Sequence, residues 1–195
     1  MLASIHPLGE RARHNRWGLT VTAHLLGSWA GGVAVFGAAA LLGTALRVPS
    51  QVAVPGMAVA VGLEVWALRP GRRLPGPRRQ VNEDWLGRYR GWVYGAGFGV
   101  QLGAGVVTIV TSAALYAALL LTVLAQSWQA GVVVGTVYGL GRAAPLVAAA
   151  RVRHPEQLAA FHRRTQRMAQ PVRLTGVAAL AALAALAVLA VGVVA

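Results

Sequence analysis

Between positions 91 and 126 the chain carries no charged residue, a run of 36 positions. A helix crosses the hydrocarbon core of a bilayer with about 20 apolar residues, so this run is longer than one crossing requires. In its first half Gly91, Gly95, Gly99 and Gly103 recur every fourth position and share one helical face. In water each of them weakens a helix by roughly 1 kcal/mol relative to alanine. In lipid the same stripe is a flat strip against which a second helix packs closely. The stretch predicts a membrane-embedded helix with a packing face.

The rest of the chain agrees with a lipid setting. Of 195 residues, 56% are hydrophobic and 12% charged, about half the ~25% usual in soluble domains, and the mean hydropathy is +0.58. The apolar runs predict an all-α polytopic helix bundle, a single membrane domain over 1–195 with about five transmembrane helices at 17–46, 51–68, 91–126, 130–150 and 172–195. Arg11, Arg13 and Arg16 precede a first run too long for the short apolar core of a cleaved signal peptide, which predicts a retained first span. Two basic loops, 69–90 and 151–171, separate the spans. Asn82, Glu83 and Asp84 read as a capped helix start that runs along the interface into the third span. Trp85, Tyr89, Trp92, Tyr94 and Trp128 suit the headgroup level. In 151–171, Pro155 and Glu156 open a short surface helix with Leu158, Phe161 and Met168 on one face.

Charge distribution gives orientation. All 18 basic residues are arginine, and 16 of them fall in the segment before the first span, in 69–90, or in 151–171 with Arg173. The positive-inside rule then predicts a multi-pass protein of the inner (plasma) membrane, N-terminus cytoplasmic and C-terminus outside. The net charge of +13 is therefore a topology signal, and no nucleic-acid partner is expected. A full second crossing within 91–126 would send the 151–171 arginines outside, whereas a broken helix there would not. With no cysteine in the chain, thiol redox chemistry and thiolate metal sites are excluded.

The glycine stripe of 91–126 has counterparts at Gly27 and Gly31 and at Gly131, Gly135 and Gly139, all predicted helix-packing positions. Gly27 and Gly31 are expected to meet Gly99 and Gly103 where the first and third spans cross. Four polar residues lie inside apolar runs: His24, Glu64, Gln101 and Arg142. A charge at the bilayer centre costs about 2.5–3.5 kcal/mol on insertion scales, so they form the candidate intramembrane cluster. One reading pairs Glu64 with Arg142 in a polar pocket near His24 and Gln101. The other has Glu64 reaching Arg69 and the headgroups, Arg142 snorkelling, and His24 neutral between helices. Thr108, Thr111 and Ser112 line a path or bond back to their own helix. No hydrolase, nucleotide-binding or metalloprotease motif is present, and His154 and His162 are a weak metal signal. No catalytic residue, metal or cofactor is predicted, and no enzyme.

The segment GFGVQLGAGVVTIVTSA from Gly97, followed by AGVVVGTVYGLGRAAPLVAAA from Ala130, resembles the second half of the DsbD/CcdA-like membrane thiol electron carriers. In that family a glycine-rich helix is broken at a proline–cysteine–proline motif, and the next helix carries a pattern like Tyr138, Gly139, Gly141 and Pro145 here. This chain has Val106, Val107 and Val110 in place of the cysteine and prolines. The resemblance, over 97–150, implies a transporter-like scaffold without the redox chemistry. Two functions stay open: moving or sensing a small solute, and a non-transporting scaffold or accessory subunit. Both have the lipid bilayer as partner and leave room for a second copy or another membrane protein. Reporter fusions after Arg79, Gln129, Arg164 and Ala195 are expected to read inside, outside, inside and outside; a cytoplasmic C-terminus contradicts this topology.

Overall fold

The computed structural model describes residues 5–69, 71–77, 84–152 and 154–194. It is all-helical among these residues: α1 (Pro7–Ala12), α2 (Trp17–Leu46), α3 (Ala53–Ala67), α4 (Trp85–Arg88), α5 (Gly91–Ala104), α6 (Ala114–Ala125), α7 (Trp128–Ala148) and α8 (Pro155–Val194). Short 3-10 turns precede α3 and follow α7. Four helical stretches are long and apolar enough to cross a membrane: Trp17–Leu46, Ser50–Ala67, Trp128–Ala148 and Pro155–Leu186. These are the helices of an integral membrane protein.

α2 is the axis. Its 30 residues make a rod of about 45 Å at 1.5 Å per residue. α5 lies along its first half in the same direction: Gly95 faces Thr20, Gly99 faces His24 and Ser28, and Gly103 faces Ser28. From the other side Gly27 meets Ala96 and Gly31 meets Val100 and Ala104. The two glycine stripes thus lie in one seam, each glycine against the non-glycine backbone of the facing helix. At Gly27, Gly31, Gly99 and Gly103 a Cβ would overlap a main-chain carbonyl oxygen of the facing helix. The Ser28 hydroxyl donates to the Gly99 carbonyl at 3.1 Å across this seam. α7 runs back along α2, Gly131 against Phe36, Gly135 against Gly32 and Gly139 against Ser28. Trp29 Nε1 donates to Thr136 Oγ1 at 3.1 Å beside it.

The uncharged run 91–126 is two helices in file, separated by irregular backbone at 105–113. α5 and α6 have 14 and 12 residues, each short of the ~20 needed to cross alone. α6 continues along α2 in the direction of α5, with Leu115 packed near Phe36 and Gly43 against Val123. Together they traverse the bundle once. α3 runs opposite to α6, Gly56 meeting Leu120 and Glu64 meeting Ala113. α8 runs opposite to α3, Arg173 donating to the Ala67 carbonyl and Leu180 joining Met57, Ala60, Ala113 and Ala117 in one apolar cluster.

Three expectations are corrected. The basic segment before the first span is more than a short polar tail: α1 folds onto the bundle, and Ile5 is buried with Val21, Tyr94, Phe98 and Leu146. Segment 151–171 is not a separate surface helix. α8 is continuous from Pro155 through Pro171, because a proline removes one helical donor and the flanking residues provide no glycine or asparagine stop. The helix expected to start near Glu83 and run into the third span is interrupted: α4 ends at Arg88, Tyr89 is extended and α5 starts afresh at Gly91. Asn82 and Glu83 lie outside the described residues.

Gly103→Ala is expected to lower stability by about 1–3 kcal/mol through overpacking. Gly141→Ala meets open space and is expected to be neutral or to gain up to about 1 kcal/mol from helix propensity. Thermal or denaturant unfolding in detergent measures both; equal effects would contradict the close seam.

Candidate functional site

The break at 105–113 is the irregular centre of the bundle. α5 ends at Gly105, whose φ of +70° suits a residue without a side chain. Six β-branched residues follow, Val106 to Thr111, a type whose stiff side chains disfavour helix. Away from water, backbone donors freed by such a break need partners inside the protein. Glu64, 1% exposed, supplies one: its carboxylate accepts from the Ala113 N–H at the start of α6. A carboxylate at a helix N-terminus is favoured by the orphan donors and by the helix dipole. Ser112 Oγ accepts from the Ala114 N–H at 3.2 Å. Tyr138 from α7 covers Gly105, its ring 5.0 Å from that of Phe36. The loop after α3 folds over the other side, Leu74 touching two apolar clusters and the Pro75 carbonyl accepting from the Tyr116 hydroxyl.

The expected cluster of His24, Glu64, Gln101 and Arg142 does not gather. Glu64 serves the break. Arg142 does not pair with Glu64: its guanidinium donates to the Tyr138 hydroxyl at 2.9 Å and lies 5.7 Å from that ring's centroid. This is the i, i+4 neighbour on its own helix, reachable without crossing the bundle. His24 is buried in the α2–α5 seam, its Nδ1 without a hydrogen-bond partner. Gln101 is half-buried on α5. None of the four lines the apolar cavity between α6, α7 and α8 or the cavity beside Arg16 and Arg90. Thr108 is buried at the break, its hydroxyl likewise without a partner. His162 Nδ1 lies 3.0 Å from the Leu158 carbonyl of its own helix. Among the described residues no three His, Asp or Glu side chains gather as metal ligands.

A second polar centre, absent from the sequence reading, sits where α1 folds onto the start of α2 and α5. Glu10 is fully buried. Its carboxylate oxygens lie 2.5 and 2.6 Å from the Tyr94 hydroxyl, which donates to them. The Thr20 hydroxyl donates to Oε2 at 2.9 Å, and Arg13 pairs with Oε1 at 2.7 Å. Asn15 Nδ2 donates to the Tyr94 hydroxyl at 3.2 Å. Three groups thus offset the desolvation of one carboxylate, with Asn15 holding the Tyr94 hydroxyl, as a buried charge requires. Burial works against the charge on Arg13, but its bond to Glu10 outweighs that and raises its pKa. His6, whose Nδ1 accepts the Gly9 N–H at 3.2 Å, is pushed below its usual pKa by burial and then by Arg13. The available signal for this centre was Glu10 itself, in the first turn of a helix opened by Pro7. No periodicity shows that the helix is covered.

No family model matches the chain, and no solved structure matches it. It is similar to a methylamine utilization protein, MauF, of Methylophilus methylotrophus. The two are 32% identical over 138 residues, 67% of this chain and 47% of that protein. The chain thus spans about half the length of the curated relative it matches.

Double-mutant cycles separate the two centres. Glu64→Ala with Arg142→Ala is expected to be additive within about 0.5 kcal/mol, since the side chains share no partner. Glu10→Ala with Tyr94→Phe is expected to show about 1–3 kcal/mol of coupling. Coupling in the first cycle, or additivity in the second, contradicts the geometry.

Proposed function

We propose that this is a multi-pass inner-membrane protein, N-terminus cytoplasmic and C-terminus outside, that moves or senses a small solute at the 105–113 break. The observation that carries the reading is the discontinuous helix with Glu64 bound at the start of its second half. Discontinuous helices near mid-bundle are where transporters place their binding sites, because broken backbone offers donors and acceptors that an intact helix keeps to itself. Glu64 provides an exchangeable charge there, and Thr108, Thr111 and Ser112 provide hydroxyls. The likeness to the DsbD/CcdA-like scaffold supports the reading in one further respect. That family breaks its helix where this chain has Val106, Val107 and Val110, within the irregular segment. Without cysteine, the role is solute handling and not thiol electron transfer, and it is not an enzyme's.

The second reading is an accessory membrane subunit. The bond of Arg142 to Tyr138 on its own helix, and not to Glu64, favours it. So does the likeness to a protein named for methylamine utilization, a name that mentions no transport.

The natural absence of cysteine makes a direct test simple. Single cysteines at Thr108 and Ser112 are probed with a membrane-impermeant thiol reagent from each side of oriented vesicles. The solute-handling reading expects labelling from one side. It also expects Glu64→Gln to change the rate by about tenfold, the effect of a ~1.4 kcal/mol shift in the population of the open break. Protection of both positions from both sides, unchanged by Glu64→Gln, favours the accessory subunit.

A further inference from the structure

Helices α2 and α5 begin side by side because they cross in parallel, and this brings together residues some 75 positions apart. Arg16 is the residue before α2 and Arg90 the residue before α5; both have extended backbone, and neither helix has a side-chain cap. The two arginines, with His14, Asn15, Gly91 and Trp92, line one cavity of about 340 Å3, within the roughly 300–1,000 Å3 usual for small-molecule sites.

We propose that this cavity binds a phosphate group, that of an anionic phospholipid headgroup or free phosphate, between Arg16 and Arg90. The planar guanidinium fork matches phosphate oxygens and binds them in pairs. Two such groups on separate elements form a clamp, which one flexible side chain cannot. The competing negative charge is already engaged: the Glu10 carboxylate behind Thr20 is held by Arg13, Tyr94 and the Thr20 hydroxyl. Leu19 and Trp92, 54% and 49% exposed, add an apolar rim. Trp92 is of the type that settles at the headgroup level, which favours a lipid over a free ion. The uncapped ends of α2 and α5 contribute partial positive charge on the same side. The clamp and the cavity carry the proposal, which does not depend on the role of the 105–113 break.

The test uses the full chain in nanodiscs of phosphatidylcholine, with and without phosphatidylglycerol. Lipid retention is read by native mass spectrometry and stability by thermal unfolding. The wild type is expected to retain phosphatidylglycerol about tenfold over phosphatidylcholine, as ~1.4 kcal/mol of differential binding gives, and to unfold at a higher temperature when it is present. R16Q/R90Q is expected to lose both effects, with helicity and unfolding temperature in pure phosphatidylcholine unchanged. R163Q/R164Q removes the same charge from exposed positions on α8 and is expected to keep them. In phosphatidylcholine discs, stabilisation by inorganic phosphate over chloride at equal ionic strength, lost in R16Q/R90Q, assigns the site to the free ion. No preference in the wild type by either arm overturns the proposal, as does equal loss in the two double variants. Should R16Q/R90Q fail to fold, the single changes R16Q and R90Q replace it, each expected to lose part of the preference; wild-type retention in both overturns the clamp.

Discussion

The structure depends on backbone touching backbone along α2. At Gly27, Gly31, Gly99 and Gly103 the facing chains are so close that a methyl group has no room. Lipid provides no hydrophobic drive to associate helices, so this approach, with dispersion at every atom of the seam and the Ser28–Gly99 hydrogen bond, holds α5 to α2. The α7 glycines repeat the arrangement from the opposite direction. A central rod gripped by a parallel and an antiparallel neighbour sets the depth of everything else.

Both polar centres follow from that seam. Because α5 follows α2 only as far as Ala104, the chain reaches mid-bundle with a β-branched run that does not continue the helix. At the break the Ala113 N–H is met by a carboxylate from α3 and the Ala114 N–H by the Ser112 hydroxyl, while Tyr138 of α7 covers Gly105. At the other end, the parallel start of α2 and α5 makes the notch that Glu10 fills and the cavity between Arg16 and Arg90. One centre has its charge held by an ion pair and hydroxyls, the other by a helix terminus. These are two standard solutions to the cost of a buried carboxylate.

Much of the architecture was legible in the residues. Hydropathy marks the long helices, and glycine spacing marks the packing faces of α2, α5 and α7, with α2 and α5 paired before any coordinates; that α7 packs on α2 was not legible. The break was legible in part: Gly105 and the run Val106 to Thr111 are weak helix formers, but lipid tolerates such runs and composition alone leaves the choice open. The partner of Glu64 was not legible. Opposite charges in apolar helices invite pairing, yet a backbone N–H at α6 and a tyrosine one turn from Arg142 were nearer. The boundary drawn between 151–171 and 172–195 falls at Pro171, inside one helix that survives the loss of a single donor.

By itself the sequence determined that this chain belongs in a bilayer, where its long apolar helices lie and which faces are smooth enough to pack, because hydropathy and side-chain period are local properties. Only the tertiary structure decided what the buried charges do. A carboxylate takes the nearest donors in space: one of those on Glu10, Tyr94, is 84 positions away, and the Ala113 N–H on Glu64 is 49 away. Tyr94 and Ala113 reach them because helices pack in parallel and antiparallel pairs, a relation that no local pattern encodes.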